Sequence, residues 1–167
     1  SQLIKLTLGD SVTTIGNSIV SSNQVSSSRI EDNATTVGDA AFYSNQISSL
    51  TLGESVTTVG DYASCEKQIS GELIIPNSAT TIGESAFSGC SGLTSITIPF
   101  VGNTLNGTSN THCGYIFGAS SYDYNSSYVP KSLKEVIVTG GSSIGSYAFY
   151  DCSGLTNIEI PNSVTSI

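Results

Sequence analysis

The chain has 167 residues, with 5 Lys plus Arg against 13 Asp plus Glu and a net charge of −8. That balance argues against nucleic acid as a partner, because gripping phosphate needs clustered cations, and it disfavours an anionic membrane surface for the same reason. Charged residues make up only 11% of the chain, against about 25% in an average domain, so Ser, Thr, Asn and Gly do the solubilising. That bias suits a β-rich secreted or surface protein.

Along the chain, short runs rich in Thr, Ile and Val close on an apolar residue at Leu8, Ile30, Leu52, Ile75, Ile98, Val138 and Ile160, in steps of 22, 22, 23, 23, 40 and 22. Apolar residues within the runs are two apart, as in Ile96 and Ile98 or Ile158 and Ile160, which is the period of a strand with one buried face. Strands are therefore expected near 4–8, 28–30, 50–52, 73–75, 94–98, 134–138 and 156–160. A second column follows at Ile15, Val37, Val59, Ile82 and Ile144, each followed by a glycine (Gly16, Gly38, Gly60, Gly83, Gly145). That glycine is read as a corner where positive φ is needed. A third column holds Ala41-Phe42, Ala86-Phe87 and Ala148-Phe149, with weaker copies at Ile19-Val20 and Ala63-Ser64. One such unit is too short to close a core, but stacked units bury each column.

The expectation is a single domain over 1–167, a β-rich solenoid of short parallel strands with little helix. It has about seven turns, the last copy truncated. It opens inside one unit ("SQLIKLTLG") and stops inside another ("IPNSVTSI"), as expected of a chain cut at both ends. No apolar run approaches the roughly 20 residues of a membrane helix, and no leader-like segment opens the chain.

The units "IPNSATTIGESAFSGCSGLTSITIP" (75–99) and "SSIGSYAFYDCSGLTNIEIPNSVTSI" (142–167) resemble the BspA-like class of leucine-rich repeats. The resemblance implies a right-handed, horseshoe-type coil and a non-enzymatic extracellular or cell-surface module. It implies adhesion to a host matrix or cell-surface protein, and it assigns no catalytic, metal or cofactor residues. A passive spacer within a larger surface protein is the alternative. Gly9, Glu31 and Gly53 stand where the repeat has Pro, and Asn23, Asn45 and Lys67 where later copies have Cys. The first three turns are accordingly expected to be less regular. The segment 114–141 also resembles an insert of gut-bacterial members.

Two surfaces are candidates for contact. Strand residues between the inward columns (Thr7, Arg29, Thr51, Ile74, Thr97, Ile137 and Glu159) should line the exposed face of the sheet. Lys5, Ser49, Glu72, Ser95, Glu135 and Asn157 stand one step outward. Solenoids commonly bind through such a face, which is otherwise merely solvated. Apolar Ile74 and Ile137 favour contact. The second surface is an insert at about 106–128, within the 40-residue step. Six of the 13 aromatics lie in 100–128, and Tyr offers contact area at low entropic cost. Phe100, Tyr115 and Phe117 are read as anchors. Tyr122 and Tyr124 are read as contact residues on an ordered, projecting loop beside Glu135 and Ile137.

The remaining chemistry is sparse. His112-Cys113 pairs a base with a thiol, but neighbours in sequence rarely aim at each other, and no orienting group is implied. Cys65, Cys90, Cys113 and Cys152 match no metal-binding spacing. Cys90 and Cys152 share a column two turns apart, about 10 Å by strand spacing, beyond the roughly 7 Å a disulfide spans. A bridge requires Cys113 to enter that column between them, and small core residues are the favoured reading. Thr13-Thr14, Thr35-Thr36, Thr57-Thr58 and Thr80-Thr81 form a further column, continued by Ser142-Ser143. It is read as a hydroxyl ladder on a second short sheet, in preference to an ice-ordering face. The Asn33, Asn106 and Asn125 sequons arise easily by chance in so Ser/Thr-rich a chain.

Overall fold

A computed structural model describes residues 2–65 and 68–167. The position of Lys67, read above as a departure from the Cys column, lies outside them. The chain winds as a parallel-strand β-solenoid of about seven turns with little helix. Two ladders run along it. One pairs β1 (Thr14–Ile15), β3 (Thr36–Val37), β5 (Thr58–Val59) and β7 (Thr81–Ile82) in parallel. The other, on the opposite flank of each coil, is in two pieces. β2 (Ser27–Arg29) pairs β4 (Ser49–Thr51). Separately, β6 (Ser70–Ile74), β8 (Gly92–Ile98), β9 (Glu135–Val138) and β10 (Asn157–Glu159) form a four-stranded sheet.

Six of the seven expected strands appear within two or three residues of their expected ends. The segment 4–8 forms none. It begins the stack, and its bonds to the following turn are Gln24 N–H to Leu3 O and Leu3 N–H to Asn23 Oδ1. The columns become the core. Phe42, Phe87 and Phe117 are its largest fully buried side chains, packed with Ile30, Leu73, Ile75, Ile82, Leu93, Ile96 and Ile98. In the first half two core-column positions are serines, Ser28 and Ser64, whose buried hydroxyls have no hydrogen-bond partner among the described residues.

The Thr column forms the expected hydroxyl ladder. Thr35, Thr57 and Thr80 Oγ1 donate to the carbonyls of Thr13, Thr35 and Thr57 one turn back, at 3.1–3.3 Å, while Thr14, Thr36, Thr58 and Thr81 pair in the strands. Beside it runs a carboxylate and amide ladder, in which Asp39, Asp61 and Glu84 N–H donate to the side-chain oxygens of Asn17, Asp39 and Asp61.

The glycine column has a different reason from the expected one. Gly38, Gly60 and Gly83 do not have positive φ. Instead an added Cβ at Gly60 would lie 2.6 Å from the Asp39 nitrogen and 2.7 Å from the Gly38 carbonyl carbon, distances that atoms do not adopt. The left-handed conformation falls two residues later, on Ser18, Ala40, Tyr62, Ser85 and Tyr147 (φ 51–60°), and again on Ser22, Ser44, Gly89 and Asp151. Apart from Gly89, these residues cost about 1 kcal/mol or more each. They persist because the corner they form is fixed by bonds to the next coil, such as Ser18 N–H to Asp39 O and Ala40 N–H to Asp61 O, both 2.8 Å. The missing prolines change little: Val12, Ala34 and Val56 N–H close the same turn onto Gly9, Glu31 and Gly53 that Ala79 and Val164 close onto Pro76 and Pro161.

Candidate functional site

The insert is built into the coil before it reaches solvent. Ile82 N–H bonds to Asn103 O, and Leu105 N–H to Thr80 O, so its first arm caps the Thr ladder through an antiparallel bridge at Thr104. The 3₁₀ helix Cys113–Phe117 then takes the place of a corner turn. Ser85 and Phe87 N–H donate to Tyr115 and Ile116 O on one side, and Cys113 N–H donates to Ala148 O on the other. Phe100 and Phe117 are buried and Tyr115 is half-buried, so the three expected anchors are anchors. The second part is a 3₁₀ turn (Tyr122–Tyr124) followed by the short helix α1 (Asn125–Tyr128).

Asn125 is the pivot. Fully buried, it accepts Gly114 N–H at 2.9 Å through Oδ1 and donates through Nδ2 to Ala148 O and Tyr150 O. Asn45 holds an earlier corner in the same way, from Val25 N–H and to Val20 and Phe42 O.

This seating brings three tyrosines together. The Tyr122 ring stacks on Tyr147 (centroids 4.5 Å, planes 17° apart), and Tyr150 meets both edge-on at 5.8 and 6.0 Å. Tyr147 and Tyr150 are more than half exposed, as is Tyr124 at the head of α1. The partners of Tyr122 are thus on the corner turn of the next coil rather than on the strand carrying Glu135 and Ile137. All eight tyrosines lie either in the insert (115, 122, 124, 128) or on corner turns (43, 62, 147, 150), and none lies on a strand. Sequence reading missed Tyr147 and Tyr150. The available signal was that they replace Ser85 and Ser88 of the unit two turns earlier. Carboxylates border this edge: burial first, and then Asp61 and Glu84, hold the Tyr115 phenol above its ordinary pKa.

The strand face is assembled in register. Arg29 pairs with Thr51, and Ile74, Thr97, Ile137 and Glu159 follow one another across β6, β8, β9 and β10. Thr7, outside any strand, is exposed. Glu135 is committed to its neighbours, accepting from Ser95 Oγ (3.1 Å) and Asn157 Nδ2 (2.7 Å). Where the ladder breaks between β4 and β6, a cleft of about 230 Å³ opens, lined by Ser49, Leu50, Thr51, Leu52, Glu54, Glu72 and Ile74. A similar cleft of about 270 Å³ lies between Lys5–Leu8 and Ser27–Glu31.

His112 and Cys113 do not face each other as base and nucleophile. His112 is buried with Nε2 3.0 Å from Ala119 O and its ring edge-on to Tyr115. The neighbouring Cys152 thiol first, and then burial, push the Cys113 thiol up, while Cys113 brings the Cys152 thiol down. Among the described residues no three His, Cys, Asp or Glu side chains group as a metal site, and no helix is long and apolar enough to cross a membrane.

The BspA type leucine rich repeat region matches residues 1–116 and 123–167 in six copies, and the chain belongs to that family. No curated protein matches it. It is similar in structure to a leucine-rich repeat protein from Bacteroides ovatus, with 26% identity and a TM-score of 0.62, over 96% of this chain and 38% of that one. A leucine-rich repeat protein from Eubacterium ventriosum shares the fold at 18% identity and a TM-score of 0.58, over 91% of this chain and 37% of the other. The chain therefore spans well under half the length of these structures.

Proposed function

We propose that the chain is a non-enzymatic, cell-surface or extracellular binding module that presents a tyrosine edge to a protein partner. The observation that carries this is the packed ring cluster Tyr122–Tyr147–Tyr150, in which Tyr147 and Tyr150 are more than half exposed, with Tyr124, also more than half exposed, two residues along the chain from Tyr122. Rings that already support each other lose little entropy on contact, and rigid exposed aromatics dominate interface energies. The family and the low-charge composition support the surface location. A second reading places contact on the strand face around Thr7, Arg29, Thr51, Ile74, Thr97, Glu135, Ile137 and Glu159. The cleft beside Ile74, which is 52% exposed, favours it.

The test measures retention of the chain on immobilised host matrix and cell-surface proteins. Deleting the insert would remove core residues, so point variants are used. On any protein that retains the chain, Tyr124→Ala/Tyr147→Ala/Tyr150→Ala should reduce affinity at least tenfold, while Ile74→Asp leaves it unchanged. The reverse pattern moves contact to the strand face. Retention by none of them supports the spacer role.

A further inference from the structure

We infer that the tyrosine edge takes a cationic partner, an extended protein segment whose Arg or Lys side chains lie on the rings while neighbouring carboxylates hold their charge. This rests on the reading of that edge as the contact surface and adds the chemistry of what it contacts. Charge placement is the first observation. Lys and Arg occur only at positions 5, 29, 67, 131 and 134. Arg29 is in β2 and pairs with Glu31 at 3.1 Å. Lys134 immediately precedes β9 and donates to the carbonyls of Lys131 and Gly154. Neither the insert, 106–128, nor the corner stretches 38–45, 60–65, 83–90 and 145–152 holds a Lys or Arg. They carry exposed Asp39, Asp61, Glu84, Asp123 and Asp151 instead.

The rings follow the same corner. Tyr62 and Tyr147 take its left-handed position, at φ 53° and 60°. Between their coils lies Tyr115, whose carbonyl accepts the amide of Ser85, the residue at that position one coil after Tyr62. Burial first, and then Asp61 and Glu84, raise the Tyr115 phenol, so the carboxylates already place this stretch at negative potential. At the far end Asp123 directly follows Tyr122 and Asp151 directly follows Tyr150, two rings of the braced cluster. Three coil steps separate Tyr62 from Tyr147, roughly 14 Å at strand spacing, which an extended segment of about four or five residues spans.

An aromatic face is negative, so it draws a cation, and a guanidinium also stacks flat on it. The adjoining carboxylates supply the full charge that the rings lack. A net charge of −8 steers a basic segment toward the chain and repels an acidic one.

The experiment follows the fluorescence anisotropy of a labelled Arg-Ser repeat peptide, and of its Gln-Ser and Glu-Ser counterparts, on the 167-residue chain at about 0.15 M salt. The Arg-Ser peptide should bind, and the other two should bind roughly tenfold more weakly or less. Tyr147→Ala/Tyr150→Ala, which leaves the net charge unchanged, should weaken it by roughly fivefold or more. Asp123→Asn/Asp151→Asn should weaken it by roughly threefold or more. Asn keeps an acceptor for Ser121 Oγ and tolerates the left-handed backbone at 151. Glu54→Gln/Glu72→Gln removes the same charge from the strand-face cleft and should leave affinity unchanged. No binding of the Arg-Ser peptide, equal binding of the Gln-Ser peptide, or equal losses from the two carboxylate pairs would overturn the inference. If Tyr124→Ala/Tyr147→Ala/Tyr150→Ala lowers retention on a host protein while Asp123→Asn/Asp151→Asn does not, the edge stands as a contact and only its preference for cations falls. If neither variant lowers it, both readings fall.

Discussion

The first four coils and the last four are held together on opposite flanks. In the first group the continuous ladder is the short one at the Thr column, β1-β3-β5-β7, while the strand face is broken between Thr51 and Ser70. In the second group the strand face is continuous, β6-β8-β9-β10, and the Thr-column ladder gives way to the arm of the insert at Thr104. The changeover occurs in the one coil, Ser70–Ile82, whose strands β6 and β7 belong to both ladders. Because the two ladders overlap in that coil, strand pairing passes without a gap from one flank to the other along the stack. The core follows the same division, with Ser28 and Ser64 interrupting the apolar columns in the first group only.

The largest expected effect tests whether the centre of the stack outranks its end. Phe87→Ala should cost about 3–5 kcal/mol, because the ring is fully buried between coils. Phe149→Ala, at a half-buried ring in the last coil, should cost about half that. Equal urea midpoints for the two variants would erase the gradient. Next is the join that the insert makes. Asn125→Ala leaves the Gly114 amide and the Tyr150 carbonyl without this partner, at about 2–3 kcal/mol. It should also speed amide exchange in 113–128 while leaving β1–β5 unaffected. Gly60→Ala probes the early ladder, where the added methyl meets backbone. Denaturant melts should show a loss of about 2 kcal/mol, and a neutral result would mean that the coils separate easily there. The smallest effect has the opposite sign. Ser64→Ala removes a buried hydroxyl with no partner among the described residues and should stabilise by about 1 kcal/mol, detectable as a raised melting temperature.

Much of this was legible because stacking repeats each residue's environment every 22 or 23 positions. The apolar columns, the Thr ladder, the Ala-Phe corner and the register of Arg29 with Thr51 or Thr97 with Ile137 all follow from the period. The period could not identify the left-handed positions. Ser18, Ala40, Tyr62, Ser85 and Tyr147 share a backbone conformation and no side-chain chemistry, so no column marks them. The insert was hard to place for a related reason. Phe117, Cys113 and Asn125 do the work of a corner turn at spacings of their own, and a search by period passes over them. That is also why Tyr122 was assigned neighbours on the strand and not on the corner turn that carries Tyr147 and Tyr150.

The seating of the insert has a mechanical consequence. Most coils bond only to the coil on either side, through N–H groups and hydroxyls aligned with the axis. Tension along that axis would load these contacts one at a time, and the stack would peel coil by coil at low force. The insert continues that series where the period breaks, bonding to the preceding coil at Thr80, Ile82, Ser85 and Phe87 and to the following one at Ser142 and Ala148. A peeling front therefore meets at the insert the same kind of junction as elsewhere, and the extra length adds no weak joint to the stack.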